Sequence, residues 1–159
     1  MAGLLAGCGF KLRGSLRFAF ESIAISPGTG SAVADELRRA LEGNVKVMAA
    51  SSPAAAASTA VPAQVLLDVL TEQREKPVVG VNAAGQVREF QLRIRVKFRL
   101  RTPEGRELIA ETELLQQRDI SFNESAVLAK EAEENLLYRN MQTDIVQQLM
   151  RRLAAVTLS

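Results

Sequence analysis

The stretch that decides the fold is Arg88-Glu89-Phe90-Gln91-Leu92-Arg93-Ile94-Arg95-Val96-Lys97-Phe98-Arg99-Leu100-Arg101, in which apolar and polar side chains alternate strictly. A repeat of two residues places alternate side chains on opposite faces of a β-strand. The apolar face holds Phe90, Leu92, Ile94, Val96, Phe98 and Leu100. The opposite face carries the cations Arg93, Arg95, Lys97, Arg99 and Arg101. The stretch therefore predicts a strand with one buried face and one cationic face.

An antiparallel partner for this strand follows directly in the sequence. Thr102 to Gly105 is a turn signal, and Glu107 to Asp119 is predicted to return as a strand with Leu108, Ala110, Thr112 and Leu114 on its core face. Pairing Leu100 with Leu108 would place Lys97 opposite Glu111 and Arg95 opposite Glu113. A slip of two residues would place Arg95 opposite Glu111 and Arg93 opposite Glu113.

Two interpretations of the cationic face remain open. In the first, the cations form a solvated surface that is paired with acidic side chains across the strands. In the second, the arginines bind an anion such as a phosphorylated glycolipid, because guanidinium groups match the geometry of phosphate.

The N-terminal half predicts a strand–helix–strand unit. A strand is expected at residues 18–26, and a helix at residues 32–42 that is capped by Ser31 and ended by Gly43. A short strand at residues 45–48 follows, and this order favours a parallel crossover. Residues 49–63 are rich in alanine and serine and predict a surface loop.

Residues 64–73 predict another strand, buried on both faces for part of its length, and Val78, Val79 and Val81 could add a short one. Asn123 is expected to cap a long helix from about residue 124 to residue 155. Its predicted apolar stripe is Leu128, Ala132, Leu136, Met141, Ile145, Leu149 and Leu153. The order β-α-β-β-β-α predicts a two-layer α+β domain, with both helices on one face of a small, mixed and mainly antiparallel sheet.

Composition excludes several classes of function. The chain of 159 residues contains no histidine and one cysteine, and its net charge is +2. Most standard catalytic constellations and metal sites need residues that are missing here, so we expect no enzyme activity, no metal and no cofactor. A carboxylate-only hydrolase is the remaining enzymatic alternative. Seven aromatic residues and no clustered basic footprint argue against nucleic-acid binding.

Cys8 predicts a lipid anchor. It follows Leu5-Ala6-Gly7, a sequence that lipoprotein signal peptidase accepts, whereas a buried structural cysteine is the competing interpretation. We expect residues 1–7 to be the remnant of a signal peptide and residues 8–159 to form a single domain. Gly9 rather than aspartate follows the cysteine, which favours the outer membrane over the inner one.

The chain resembles the LptE family of lipopolysaccharide-assembly lipoproteins. The resemblance lies in the stretch from Cys8 to Gly14, in residues 125–134 and in residues 141–153. It implies a non-enzymatic protein that is anchored in the outer membrane and faces the periplasm. It also implies a 1:1 complex in which the protein plugs the LptD β-barrel, assists its assembly and binds lipopolysaccharide during export.

The resemblance also implies a role for Lys130, because a basic residue at this position of the family motif is linked to lipopolysaccharide contact. The candidate lipopolysaccharide-binding residues are therefore Lys130, Arg93, Arg95, Lys97 and Arg99. For Lys130, the alternative is a solvated lysine beside Glu131, Glu133 and Glu134. The alternative function is that of a generic periplasmic lipoprotein adaptor without glycolipid binding.

Overall fold

The computed structural model describes residues 16–27, 29–49 and 62–158. The elements are β1 (Ser22–Ser26), α1 (Ala32–Leu41), β2 (Lys46–Ala49), β3 (Val65–Glu75), β4 (Val78–Val81), β5 (Val87–Arg101), β6 (Glu107–Ser121) and α2 (Val127–Ala154). A 3₁₀ turn, Glu124–Ala126, precedes α2. The predictions for residues 1–7, for Cys8 and for most of the 49–63 loop lie outside the described residues.

The strands form one mixed sheet with β5 paired on both edges. β1 lies between β2 and β3 and is parallel to both. β3 and β4 pair antiparallel with successive parts of one edge of β5, so that β4 continues the line of β3 beyond Pro77. β6 pairs antiparallel with the other edge. The predicted two-layer α+β fold is confirmed, and β4 changes the order to β-α-β-β-β-β-α.

The apolar face of β5 forms the centre of the core. Leu92, Ile94, Val96, Phe98 and Leu100 are completely buried. Both helices pack against the sheet: α1 contacts β1 and β2, and α2 contacts β5 and β6. The two helices also contact each other. The apolar face that the alternation predicts for β5 is therefore the face that is buried in the core.

The register of the β5–β6 hairpin differs from both predicted registers. Phe98 lies opposite Thr112, and Lys97 lies opposite Glu113. Next to the turn, Arg101 lies opposite Glu107, as it would in the first predicted register. Two irregularities between Phe98 and Arg101 then shift the rest of β6 by two residues relative to that register. A shift of two residues preserves the inward and outward faces. The core prediction for β6 is correct for Leu114 and wrong for Ala110, which is exposed.

The N-terminus of α1 is fixed to the sheet by a shared carboxylate. The Ser31 hydroxyl accepts a hydrogen bond from the Ala34 amide at 3.0 Å, so the predicted cap is confirmed. The same hydroxyl donates to Glu72 of β3 at 2.7 Å, and the Val33 amide donates to this carboxylate at 3.2 Å. A carboxylate at this position satisfies helix N–H groups and complements the positive end of the helix dipole.

The apolar stripe that the sequence predicts on α2 is correct only in the second half of the helix. Met141, Ile145, Leu149 and Leu153 are buried, but Leu128, Ala132 and Leu136 are exposed. Met141 follows Leu136 by five positions, and at 100° per residue their side chains lie about 140° apart around the helix. The sheet-facing positions of the first half are instead the half-buried Lys130, Glu134, Leu137 and Tyr138.

Smaller differences concern β1 and β3. The first strand begins at Ser22 rather than at Phe18, although Phe18 and Phe20 pack against the core with ring centroids 5.5 Å apart. Leu70, which was expected to be buried on the second face of β3, is exposed and lies at the irregularity in the pairing with β5 between Val69 and Thr71.

Two leucines on α2 test this burial pattern. Leu149→Ala removes a completely buried side chain and is expected to lower the free energy of unfolding by about 2–5 kcal/mol. Leu128→Ala removes a side chain that is 82% exposed and is expected to change the free energy of unfolding by less than about 0.5 kcal/mol. Urea denaturation of both variants measures the difference, and equal losses would contradict the burial described above.

Candidate functional site

The cationic face of β5 is accompanied by acidic side chains along its whole length. At one end, the Nε atoms of Arg99 and Arg101 each donate a hydrogen bond of 2.9 Å to the same carboxylate oxygen of Asp68 on β3. Asp68 lies opposite Arg99 in the register of β3 and β5. These two arginines are therefore held in place by a charge-assisted pair of hydrogen bonds.

The other three cations are held more loosely. Arg95 lies 3.8 Å from Glu113, Lys97 lies 3.8 Å from Glu111, and Arg93 lies 4.0 Å from Glu75. These separations exceed a hydrogen-bond length, so the charges attract each other without direct bonds. Glu111 and Glu113 are the partners that the first predicted register gives Lys97 and Arg95, but they are reached diagonally because of the shift in β6.

Arg95 is the least satisfied of these cations. Its Nε atom is buried and has no hydrogen-bond partner among the described residues. Arg93, by contrast, uses its Nε atom to donate to Gln91 at 2.7 Å. Arg95 and Lys97 are thus the two cations of this face that can exchange their acidic partner for another anion with the smallest loss of hydrogen bonds.

The pKa of Asp68 reflects its two arginines. Partial burial by itself raises the pKa of this carboxyl, but the hydrogen bonds and positive charges of Arg101 and Arg99 outweigh burial and bring the pKa below its ordinary value. Asp68 therefore stays ionised at neutral pH and keeps both arginines on the outer face of the sheet.

Lys130 lies in a cleft at the end of the domain remote from Asp68, between the start of α2, the start of β5 and the end of β6. The cleft, hereafter the Lys130 cleft, is lined by Lys76, Phe90, Ile120, Ser121, Phe122, Val127, Lys130, Glu131 and Glu134. The Lys130 ammonium donates to the Ser121 hydroxyl at 3.0 Å and to Glu133 at 2.8 Å. Its side chain is 23% exposed, so it is held in the wall of the cleft rather than extended into solvent.

A second lysine of this cleft was not predicted from the sequence. Lys76 pairs with Glu134 of α2, and its ammonium lies 4.6 Å from the centre of the Phe90 ring, a cation–π contact. Phe90 packs edge-to-face on Phe122 with centroids 5.5 Å apart. Lys76 and Lys130 are distant in the sequence and share a cleft only because β4 extends the line of β3, so no local pattern could have identified the pair.

An exposed apolar surface lies on the first half of α2. Leu128, Ala132 and Leu136 follow one another at intervals of four residues and form one line on the helix, hereafter the α2 stripe. Leu128 is 82% exposed and Leu136 is 50% exposed. Single exposed leucines are common, but an aligned pair on a helix face that no described element covers is typical of a protein contact surface.

The described residues show neither a membrane-spanning helix nor a metal cluster. No helix among them combines the length and the apolar character that are needed to cross a bilayer. Within the same residues, no group of three or more Asp, Glu, Cys or His side chains is placed to hold a metal ion.

Three solved structures of bacterial lipoproteins share this fold. Lipoprotein B from Nitrosomonas europaea has 33% sequence identity and a TM-score of 0.74, over 92% of this chain and 91% of that chain. Rare lipoprotein B from Shewanella oneidensis has 20% identity and a TM-score of 0.66, over 84% and 94%. A minor lipoprotein from Acinetobacter baumannii has 17% identity and a TM-score of 0.64, over 88% and 96%. No curated protein sequence matches significantly.

The fold is thus the one found in this class of bacterial lipoproteins. The model of the LptE family, described as lipopolysaccharide-assembly, matches residues 15–153 of the chain. The protein belongs to this family, and the resemblance noted in the sequence is confirmed.

The Asp68 cluster makes stability depend on pH. Because the pKa of Asp68 is lowered in the folded state, its contribution is present above the unfolded pKa and is lost as the pH falls through the folded pKa. Asp68→Asn is expected to lower the free energy of unfolding by about 1 kcal/mol at pH 7, a modest value because water screens the partly exposed arginines.

As the pH falls below the unfolded carboxyl pKa of about 3.9, the difference between this variant and the parent should shrink, because the contribution of ionised Asp68 is lost as the pH falls through its lowered folded-state pKa. The comparison is made at pH 7 and at the lowest pH at which the parent stays folded. Urea denaturation at both pH values measures this effect. Asp144→Asn is the control, because Asp144 pairs with Arg118 at 3.2 Å at the surface and is expected to change stability by less than about 0.5 kcal/mol. A pH-independent loss for Asp68→Asn would contradict the assignment.

Proposed function

We propose that the protein is a lipid-anchored subunit of the lipopolysaccharide-export machinery of the outer membrane. In this proposal it forms a 1:1 complex with an LptD-type β-barrel, which it plugs and whose assembly it assists. It also contacts lipopolysaccharide. The observation that carries this proposal is the family match over residues 15–153. The lipid anchor is proposed at Cys8, and the domain then acts from the periplasmic side without catalysis. An assembly partner needs binding surfaces rather than an active site, which agrees with the surfaces described above.

The α2 stripe is the surface that we propose for contact with the barrel. Leu128 and Leu136 expose large apolar side chains on the face of α2 that points away from the sheet. Burying them against a partner removes apolar area from water, at roughly 25 cal/mol per Å². Polar and acidic neighbours, including Glu131 and Asn135, surround the stripe, and such a rim is common around an apolar interface centre.

Two sites are candidates for lipopolysaccharide. The first is the Lys130 cleft, where a phosphate group would replace Glu133 as a partner of the Lys130 ammonium and the phenylalanine rings would meet apolar parts of the ligand. The second is the strand face with Arg93, Arg95, Lys97 and Arg99. On that face, Arg95 and Lys97 are held only by ion pairs of 3.8 Å, whereas Arg93 also donates a hydrogen bond to Gln91. Arg99 is hydrogen-bonded to Asp68 and is expected to contribute less.

Co-purification tests the partnership. A tagged, lipid-anchored chain is expected to bring down the LptD-type barrel of the same organism in a ratio of about 1:1, identified by mass spectrometry. Leu128→Asp combined with Leu136→Asp should reduce the recovered barrel at least about tenfold, because two charged side chains would have to be buried in the contact. Leu115→Asp is the matched control, since Leu115 is also an exposed leucine but lies on β6. Absence of the barrel from the parent sample would overturn the proposed function.

Lipopolysaccharide binding is tested by reversing charges at each site separately. Lys130→Glu is expected to weaken binding if the cleft is used, and Arg95→Glu with Lys97→Glu if the strand face is used. Either change should also reduce the salt dependence of binding, because fewer charge contacts remain to be screened. Arg139→Glu is the control, as Arg139 is an exposed cation of α2 outside both sites. Unchanged affinity in both variants would remove both sites from consideration.

A further inference from the structure

The last strand of the sheet has an edge that no described element pairs. β6 is 15 residues long and is hydrogen-bonded to β5 on one edge only. The strand at the other side of the sheet, β2, has 4 residues. Natural proteins usually keep edge strands short or covered, because unpaired N–H and C=O groups can pair with another chain. β6 is therefore the edge of this sheet at which a further strand can add.

The backbone groups that point to this free edge follow from the hydrogen bonds on the paired edge. The Phe122 amide donates to the Arg88 carbonyl at 2.7 Å, and the register with β5 is regular from Thr112 to Ser121. Bonded residues alternate along an antiparallel strand, so even-numbered residues of this segment bond to β5 and odd-numbered residues direct their N–H and C=O groups to the free edge. These outward residues are all exposed: Glu113, Leu115, Gln117, Asp119 and Ser121.

One of the outward acceptors is already in use. Nη1 of Arg118 donates to the Gln117 carbonyl at 2.8 Å, while Nη2 of the same side chain donates to Asp144 at 3.2 Å. The other outward backbone groups from Glu113 to Asp119 have no hydrogen-bond partner among the described residues. A carbonyl oxygen can accept two hydrogen bonds, so the contact from Arg118 does not block an added strand.

The side chains of this segment determine which strand fits. On the outer face of the sheet, charge alternates from strand to strand, because the cations of β5 lie between acids of β3 and β6. A strand added to β6 continues this alternation when it carries cations opposite Glu113 and Asp119. Both carboxylates can bind a further cation, since Glu113 lies 3.8 Å from Arg95 and Asp119 accepts one hydrogen bond, from Gln91. Leu115, 46% exposed between them, favours an apolar neighbour.

Two other occupants do not fit this edge. When two copies of the segment from Glu113 to Asp119 are aligned antiparallel, Glu113 of each copy lies opposite Asp119 of the other, and like charges in this position repel. The wall of a closed barrel is also unsuitable, because both edges of its strands are already paired. A domain that plugs a barrel can therefore pair β6 only with a loop or terminal segment that extends from the wall into the lumen.

We propose that the free edge of β6 is a strand-addition site for an extended segment of a partner protein, with lysine or arginine opposite Glu113 and Asp119 and an apolar residue opposite Leu115. Main-chain hydrogen bonds hold such a segment, and the side chains on alternate positions select it. The site goes beyond the proposed function, since it needs neither the lipid anchor nor lipopolysaccharide.

A synthetic peptide tests the site on the full-length, ¹⁵N-labelled chain. In this short, capped peptide, lysine, glutamine, valine and lysine alternate, in this order, with threonine, so that antiparallel pairing places its lysines opposite Asp119 and Glu113. On binding, hydrogen exchange at the amides of Leu115, Gln117 and Asp119 should slow at least about tenfold, because these N–H groups gain acceptors. A peptide with glutamate in place of both lysines should bind at least about fivefold more weakly.

Variants of the chain separate backbone pairing from charge. Gln117→Pro removes an N–H that points to the free edge and leaves the bonds to β5 in place, so it should weaken peptide binding at least about tenfold relative to Gln117→Ala. Glu113→Lys with Asp119→Lys should reverse the preference, so that the glutamate peptide binds better than the lysine peptide. Glu21→Lys with Glu42→Lys is the matched control, because both acids are exposed and belong to the β1–α1–β2 unit at the other side of the sheet.

Several results would overturn the proposal. Slow exchange of the outward amides in the free chain would show that the chain itself covers this edge, and self-association that protects them would show that a second copy does. Equal binding of both peptides, or equal binding by the proline and alanine variants, would also contradict it. Melting temperatures show whether each variant is folded, and the charge-reversed variant keeps the test valid if the proline variant is not. Co-purification of the barrel with the parent chain is a separate measurement, so either proposal can fail while the other stands.

Discussion

The structure depends on the burial of one face of β5 while both of its edges are hydrogen-bonded. Five side chains of this strand, from Leu92 to Leu100, are completely buried, and α2 packs on the strand. β3 and β4 satisfy one edge and β6 satisfies the other. A one-residue slip of this strand would turn every apolar side chain to solvent and every cation to the core. Register, core and outer surface are therefore determined together.

The same constraint shapes the outer face. Because the apolar residues occupy the inner positions, the five cations must share the outer positions, where like charges on one strand would repel each other. Asp68, Glu75, Glu111 and Glu113 on the neighbouring strands relieve this repulsion. The relief is uneven: Asp68 binds two arginines through hydrogen bonds, whereas Arg95 and Lys97 keep only longer-range pairs. The interpretation of a paired, solvated face therefore describes one end of the strand better than its middle.

The proposed activities are distributed over different parts of the surface. The cationic face of β5 lies on the side of the sheet opposite to α2, whereas the exposed leucines of α2 and the Lys130 cleft are neighbours on the first turns of that helix and are both bordered by Glu131. The acidic residues in the first half of α2 and the basic residues in its last turn agree with the direction of the helix dipole.

Local patterns in the sequence determined most of the fold. The period of two in β5, the Ser31 cap and the positive φ of 89° at Gly43 each depend on neighbouring residues only, which is why they were predictable. Lys130 and the cations of β5 were likewise identified as candidates from motif and alternation.

Tertiary structure decided the remaining features, because each depends on residues that are distant in the sequence. Because of the irregularities in the pairing of β5 and β6, Glu111 and Glu113 reach Lys97 and Arg95 diagonally rather than directly across the strands. The phase change between Leu136 and Met141 exposes the α2 stripe, and the continuation of β3 by β4 brings Lys76 beside Phe90. Helical periodicity shows which side chains share a face, but the packing of α2 on the sheet selects the face that is buried. The surfaces available to partners follow from that selection.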